Sequence, residues 1–245
     1  MSFDELKRHS YEANMKLREY GLVMFTWGNA SQICPERKYV AIKPSGVRYE
    51  DMTPDHMCVL RLSDGSLVSG ENGMPNPSTD ARTHLELYRR FDEVGGVVHT
   101  HSAYATSFAQ AAQNIPCYGT THADYFYGKI PCTRALTAEE INGDYELNTG
   151  IVIADTFHDR LIDPLKVPGV LISGHGPFTW GKNAADAAAN AVYLEETARL
   201  AYMTRVLAAT HYTERFDAYL IEPVEQTLLD KHYNRKHGKD AYYGQ

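Results

Sequence analysis

The segment MCVLRLSDGSLVSG, residues 57–70, has the pattern of a β-hairpin, and this pattern limits the folds open to the chain. Two apolar runs flank Asp64 and Gly65, a pair that is typical of a tight turn. A turn of that length joins antiparallel neighbours. Two strand-like runs precede it, GLVMFTWGNAS at 21–31 and YVAIKPSG at 39–46, and each ends in small polar residues. The chain is therefore expected to begin as an antiparallel sheet.

Helical patterns surround these strands. Residues 3–17 carry apolar side chains at helical spacing, and Gly21 is expected to end that helix. Further helices are predicted for STDARTHLELYRRF, AYATSFAQAAQ and KNAADAAANAVYLEETARLAYMTRVLA, and further strands for GGVVHTH and VPGVLISGHG. No strand leads into the glycine pattern of a dinucleotide-binding fold, so we expect a mixed or antiparallel sheet between helix layers.

Length and charge narrow the classes of partner. The 245 residues fit one α/β domain with a full hydrophobic core, so a single domain over 1–245 is expected. A formal net charge of −7 gives no global positive field for a nucleic acid or an anionic membrane. We therefore expect neither as a partner, and an anionic substrate must be bound by local groups.

The cysteines and the first residues indicate a soluble cytoplasmic protein. Asp4 and Glu5 stand where a signal peptide needs an apolar run, and no run approaches the roughly 20 residues of a membrane span. The cysteines are widely separated and form no CxxC pair, which favours reduced thiols over a disulfide framework. They are Cys34, Cys58, Cys117 and Cys132.

Two histidines, His99 and His101, end the apolar run GGVV. Alternate strand residues point the same way, so both rings are predicted to project from one face, about 7 Å apart along the strand. His175 lies between glycines at the end of another predicted strand, and Asp80 adds a carboxylate at a helix start. Three imidazoles with an open position are typical of a catalytic metal site, for which zinc, iron, manganese and cobalt all remain possible.

Three short turns could bind an anion. TWGNAS, KPSG and PSTD each place Gly, Ser, Thr or Asn at a strand end or helix start, where backbone N–H groups and hydroxyls can meet a phosphate. Lys43 stands beside Ser45 and Gly46. Alone, each turn could be an ordinary connection, and the histidine pair could be two polar residues on an edge strand. Their combination favours a metal site next to a phosphorylated substrate.

Six segments resemble the L-ribulose-5-phosphate 4-epimerases of the class II aldolase and adducin family, from about residue 3 to residue 245. They are TWGN, KPSGV, HTHS, GTTHADYFYG, SGHGPFTWGKNA and LLDKHYNRKHGKDAYYGQ. HTH and KPSG belong to the whole family, whereas THADYFYG and the C-terminal segment are specific to the epimerases. The resemblance implies a three-layer α/β/α sandwich with a central, mainly antiparallel sheet, and a homotetramer with active sites between subunits.

The resemblance also implies a metal and its ligands. One zinc ion, or another divalent metal, would be held by His99, His101 and His175, with Asp80 beside or on the metal. The activity implied is interconversion of L-ribulose 5-phosphate and D-xylulose 5-phosphate. Whether an arabinose, ascorbate or other pentose route uses it stays open.

Substrate-binding and acid/base residues follow from the same resemblance. Asp124 and Tyr243 would be the acid/base pair. Apart from the resemblance, Lys43 beside Ser45 and Arg235 in the basic tail are expected to bind the substrate through their positive charge. The substrate-binding turns would contain Gly28, Asn29, Ser45, Gly46, Ser78 and Thr79. Thr79 stands where the epimerases usually have serine and still supplies a hydroxyl. Residues 210–224 are longer than the usual connection, so the local structure before the tail stays open.

The chemistry explains why such groups are needed. C4 of a 2-keto pentose phosphate is not adjacent to the carbonyl, so simple enolisation cannot invert it, and the chain has no nicotinamide fingerprint for oxidation at C4. The remaining route cleaves C3–C4 by a retro-aldol step, turns the aldehyde and adds it back. A divalent metal would stabilise the enediolate, and two acid/base groups, Asp124 and Tyr243, would serve the two faces of the aldehyde.

Two other functions compete with the epimerase. A metal aldolase of the same family, similar to L-fuculose-phosphate aldolase, would release the fragments, but such enzymes usually have Glu where this chain has Asp80. Asp124 could instead be a structural or capping carboxylate, and the charged tail could be a frayed end. A non-catalytic, adducin-like interaction module would have no use for three ligand histidines.

Overall fold

A seven-stranded antiparallel sheet forms the centre of the chain in a computed structural model, which describes residues 1–69, 76–210 and 221–243. The strands are β1 (Asn29–Ile33), β2 (Tyr39–Ile42), β3 (Cys58–Arg61), β4 (Leu67–Ser69), β5 (Gly96–His99), β6 (Gly169–Leu171) and β7 (Pro177–Gly181). Their order across the sheet is β4-β3-β2-β1-β5-β7-β6. Strand β5 lies between β1 and β7, so the end of β5 is in the middle of the sheet.

Helices cover both faces of this sheet. They are α1 (Phe3–Glu19), α2 (Ala81–Arg90), α3 (Ala103–Gln110), α4 (Thr120–Ala123), α5 (Ala138–Asn142), α6 (Tyr145–Asp159), α7 (Ala184–Thr210) and α8 (Gln226–His237). A short 3-10 turn at Pro54–His56 precedes β3. Each helix in these ranges is too short or too polar to span a bilayer.

Alternation along β5 divides the core into two layers. Val98 packs with Leu17 of α1 and Ala187 of α7 on one face of the sheet. Its neighbour Val97 points to the other face and packs with Tyr88 of α2, and α6 packs against α2. Small alanines along α7 allow that long helix to lie close to the sheet. The predicted three-layer α/β/α sandwich with an antiparallel sheet is confirmed.

Most elements with a strong local pattern are present. The hairpin of β3 and β4 turns at Gly65, whose φ of 72° is in the left-handed region, and the predicted helices correspond to α1, α2, α3 and α7. None of the four cysteines, which all lie in the described ranges, forms a disulfide, and all four are buried. Gly70 of the predicted hairpin lies outside the described residues, as do residues 211–220 of the connection at 210–224.

Two strand predictions are partly wrong. The first strand starts at Asn29 rather than at residue 21, because the carbonyls at 26–28 bind the side chains of Lys43 and Tyr49 instead of a neighbouring strand. Strand β5 ends at His99, so His101 is not a strand residue. Helices α4, α5, α6 and α8 and strand β7 were not predicted.

Candidate active site

Three histidines meet at the C-terminal end of β5, a central strand of the sheet. His99 is the last residue of β5, His101 follows in the link to α3, and His175 lies in the turn between β6 and β7. The ring centroids of His99 lie 4.8 Å from His101 and 4.6 Å from His175. One ligand nitrogen of each ring lies within 4.8 Å of the others, so the three residues could hold one metal ion.

A close approach of two chain segments brings the third histidine to the pair. A Cβ added to Gly176 would lie 2.8 Å from the carbonyl oxygen of Thr100 and 3.5 Å from the His99 ring. A larger side chain would therefore move the 173–176 turn away from the end of β5. Position 176 therefore requires glycine, because no larger side chain fits between the two segments.

Hydrogen bonds around the rings fix which nitrogens face each other. His99 Nδ1 donates to the Pro177 carbonyl at 2.9 Å, and the Tyr145 hydroxyl lies 3.2 Å from His175 Nδ1. The Nε2 atoms of His99 and His101 face each other at 2.9 Å. Burial lowers the pKa of His175 to about 4, so its imidazole is neutral near pH 7. Burial also lowers the pKa of His101. A neutral imidazole whose free nitrogen points into the cluster is a ligand that suits a divalent metal.

Asp80 borders the histidines without joining their nitrogens. It precedes α2 and makes no side-chain cap hydrogen bond, so its carboxylate is available to the pocket. Oδ2 accepts from Asn29 Nδ2 at 2.6 Å. Burial raises the pKa of the Asp80 carboxyl, but the neighbouring His99 and His84 outweigh it and hold that pKa below its usual value. The carboxylate is thus charged next to the three rings.

A pocket of about 540 Å³ opens over this cluster. Eleven of the fourteen residues predicted for the site line it, and they are Gly28, Asn29, Lys43, Ser45, Gly46, Ser78, Thr79, Asp80, His99, His101 and His175. The three turns that were predicted to bind an anion converge because hydrogen bonds join them to one another. Ser45 N donates to the Asn76 carbonyl at 2.8 Å, Ser78 N donates to the Lys43 carbonyl at 3.0 Å, and Asn29 Nδ2 donates to Ser78 Oγ at 3.0 Å.

The other three predicted residues form a second cluster outside this pocket. Asp124 follows α4, and both of its carboxylate oxygens accept from Arg235 Nη2, at 2.9 and 2.8 Å. His232 Nδ1 lies 3.0 Å from the same carboxylate, and Arg235 lies over the Tyr243 ring at 4.3 Å. Within one chain, the structure therefore separates the predicted acid/base pair from the histidines.

Sequence reasoning missed two pocket residues at the start of α6, Tyr145 and Glu146. Thr83 Oγ1 of α2 donates to the Glu146 carbonyl at 2.6 Å, and Arg82 pairs with Asp144, whose side chain caps α6. The signal was present, because Asp before an apolar run is typical of a helix start. Thr26, Trp27 and Pro44 complete the lining.

Comparison with known proteins identifies the family. Residues 8–202 match the family described as the Class II Aldolase and Adducin N-terminal domain. The chain belongs to this family. An L-ribulose-5-phosphate 4-epimerase UlaF from Salmonella paratyphi B is 52% identical to it over 241 residues, which cover 98% of this chain and 99% of that protein. The enzyme of the same name from Salmonella typhi is also 52% identical, over the same shares of the two chains.

Solved structures of this family share the fold at lower identity. An L-fuculose 1-phosphate aldolase aligns with a TM-score of 0.70 at 20% identity, covering 94% of this chain and 95% of that chain. The L-fuculose-1-phosphate aldolase of Thermus thermophilus aligns with a TM-score of 0.64 at 21% identity, covering 83% and 96%. At this identity, the structural similarity establishes the fold, and the reaction has to be inferred from the residues of the site.

Proposed function

We propose that the chain is a metal-dependent L-ribulose-5-phosphate 4-epimerase, which interconverts L-ribulose 5-phosphate and D-xylulose 5-phosphate. The observation that carries this proposal is the 52% identity, over nearly the whole of both chains, to enzymes of that name. The histidine cluster and its pocket supply groups that suit the reaction. A reaction at C4, which is not acidic, proceeds by cleavage of C3–C4 and re-addition to the opposite face of the aldehyde.

The metal centre is proposed to consist of His99, His101 and His175, with Asp80 beside it, and to bind one Zn²⁺ or a related divalent ion. Such an ion, when bound, stabilises the negative charge that cleavage leaves on the C1–C3 fragment. The chain's own groups keep the rings in place, because the Pro177 carbonyl and the Tyr145 hydroxyl fix the nitrogens that face away from the cluster.

The turns are proposed to hold the phosphate on C5 while the aldehyde turns over. Gly28 and Gly46 have φ values of 70° and 72°, in the left-handed region that nests of backbone N–H groups use. The hydroxyls of Ser45, Ser78 and Thr79 line the same pocket. Cleavage of C3–C4 releases C4 and C5 together as glycolaldehyde phosphate. Turns that bind its phosphate keep this fragment in the pocket and still allow its carbonyl group to rotate.

Proton transfer is assigned to Asp124 and Tyr243, acting on the pocket of a neighbouring subunit in a cytoplasmic homotetramer. The support for this arrangement is that neither residue lines the pocket of its own chain. Tyr243 is 48% exposed, so its hydroxyl can reach another molecule. The guanidinium of Arg235 lies 4.3 Å from the centre of the Tyr243 ring, a cation–π contact that links this tyrosine to α8.

An aldolase is the competing function, and the fold alone would fit it. The reaction assay separates the two. L-ribulose 5-phosphate is incubated with the zinc-loaded enzyme in D₂O, and the products are followed by NMR. We expect D-xylulose 5-phosphate with no deuterium at C4, because the C4–H bond stays in the aldehyde throughout. Accumulation of free dihydroxyacetone and glycolaldehyde phosphate would identify an aldolase, and deuterium at C4 would exclude the cleavage route.

A further inference from the structure

Lys43 is buried behind the anion-binding turns. It follows β2, its side chain is only 1% exposed, and its ammonium lies 5.0 Å from the centre of the Tyr49 ring. Three carbonyl oxygens accept from Nζ: those of Thr26 at 3.2 Å, Pro44 at 3.3 Å and Val47 at 3.0 Å. Thr26 belongs to the turn at 26–29, and the other two belong to the turn at 43–47.

Counting donors decides what the ammonium can do. A lysine ammonium has three N–H donors and no acceptor, and here each donor has a backbone carbonyl. None remains for a phosphate oxygen. Burial lowers the pKa of Lys43 to about 8, so the group is still mainly protonated near pH 7 and keeps all three donors. The residue is therefore bonded to the backbone of two turns at once.

Tyr49, whose ring lies next to the Lys43 ammonium, binds the backbone of the turn at 26–29 as well. Its buried hydroxyl lies 3.1 Å from the Trp27 carbonyl and 3.0 Å from the Gly28 carbonyl. Together, the two side chains bind three consecutive carbonyls, at residues 26, 27 and 28. Within the described ranges, the N–H groups of Gly28 and Gly46 have no acceptor, and both glycines line the pocket. Lys43 and Tyr49 therefore bind the carbonyl groups of the turns, and the N–H groups of Gly28 and Gly46 are left to bind an anion in the pocket.

We propose that Lys43 is a positioning residue, which braces the two phosphate-binding turns through their carbonyls and does not itself donate to the phosphate. Tyr49 is the neutral half of the same brace. The identity of the ligand rests on the proposed epimerase function, whereas the bracing is a property of the free protein. The two can therefore fail separately.

The first test measures the free protein. Lys43→Met keeps the length of the side chain and removes the three donors, and Tyr49→Phe removes one hydroxyl without a change of charge. Hydrogen exchange of the segments 24–30 and 43–48 is followed by mass spectrometry without any ligand. We expect exchange in both segments to rise about tenfold or more in Lys43→Met, and in 24–30 alone in Tyr49→Phe. The exposed Lys182→Met is the matched control and should exchange like the wild type. Unchanged exchange in Lys43→Met would overturn the brace.

The second test separates bracing from direct contact. Affinity for inorganic phosphate should fall in Tyr49→Phe as well as in Lys43→Met, because both variants release the turn at 26–29. Turnover of unphosphorylated L-ribulose should also fall in Lys43→Met, since Asn29 is displaced with that turn. A loss confined to phosphate binding in Lys43→Met, with normal L-ribulose turnover and normal phosphate affinity in Tyr49→Phe, would instead mean that the ammonium contacts the phosphate. If L-ribulose 5-phosphate is not a substrate, the exchange and phosphate measurements still decide the proposal.

Discussion

At the scale of single residues, the sequence predicted which histidines come together but not how. A strand through His101 would separate the two positions by about 7 Å along one face. In the structure β5 ends at His99, the chain bends, and the Nε2 atoms of the two rings face each other at 2.9 Å. The HxH spacing was therefore informative about the pair, and the geometry depended on a bend that no local pattern encodes.

Tyr145 shows what residue chemistry alone could not supply. Nothing in the sequence connects it to His175, thirty residues later, yet the two side chains meet at 3.2 Å. When the proton is on Nδ1 of His175, that nitrogen donates to the Tyr145 oxygen and Nε2 is left for the metal. Groups of this kind typically contribute 10- to 100-fold to metal affinity.

Tyr145→Phe is accordingly expected to weaken zinc binding by roughly 10- to 100-fold, because the ring stays and only the hydroxyl is lost. The measurement is competition with a chromogenic chelator on metal-free protein, so it does not depend on activity. Tyr242→Phe, whose side chain is 75% exposed, is the control and should bind zinc normally. Equal affinities in Tyr145→Phe and the wild type would show that the hydroxyl does not orient His175.

At the scale of elements, the predictions were correct where the structure depends on local sequence and wrong where it depends on contacts with distant residues. The β3–β4 hairpin and the long α7 were predicted because turn chemistry and helix length are encoded locally. Residues 21–28 have the apolar composition of a strand, but Phe25 is 67% exposed with a φ of 54° and the carbonyls at 26–28 bind Lys43 and Tyr49. Side chains distant in sequence made that segment a loop, so composition could not reveal it.

Asp124 binds three side chains of α8 and so holds this helix against the rest of the chain. Its carboxylate contacts Arg235 and His232, and Lys236 lies 4.0 Å away. Burial raises the pKa of the Asp124 carboxyl, but the hydrogen bonds from Arg235 and His232 outweigh burial and hold that pKa below its usual range. A lowered pKa in the folded state means that this stabilisation is full above the ordinary carboxyl pKa of about 3.9 and is lost as the pH falls through the lowered value.

Asp124→Asn should therefore loosen α8 at pH 7, by about 1–3 kcal/mol, since Arg235 and Lys236 on that helix lose the carboxylate with which they pair. The measurement is hydrogen exchange over residues 226–237 at pH 7, where the variant should exchange faster than the wild type. A second comparison follows denaturant unfolding from pH 6 to pH 3. The difference in unfolding free energy between variant and wild type should shrink towards the acid end, and a constant difference would contradict the role of the charged carboxylate.

At the scale of the whole molecule, the predicted site is divided into two places. Eleven predicted residues line one pocket, and Asp124, Arg235 and Tyr243 lie together elsewhere. Sequence reasoning could name all of them because each lies in a short segment with a recognisable pattern. In the homotetramer proposed above, the two groups would meet across a subunit boundary, and the exposed apolar side chains of Met203 and Val206 on α7 offer a surface for such a contact.

Mixing two inactive variants tests that arrangement. His99→Asn removes a proposed metal ligand, and Tyr243→Phe removes the proposed proton donor while the ring and the His99 cluster remain. Each alone is expected to lose activity by about 100-fold or more, the scale of a lost general acid for the tyrosine. Zinc content should fall in His99→Asn and stay normal in Tyr243→Phe.

If a site combines the histidines of one chain with Tyr243 of a neighbour, hybrids contain repaired sites. A site works when its histidines come from Tyr243→Phe and its tyrosine comes from His99→Asn. Each condition holds for half of the chains after random exchange of equal amounts, so about one quarter of the wild-type activity should return. A site built within one chain has no repaired form in any mixture. Subunit exchange that mass spectrometry demonstrates, without recovered turnover, would therefore assign Tyr243 to the pocket of its own chain and require α8 to move towards it.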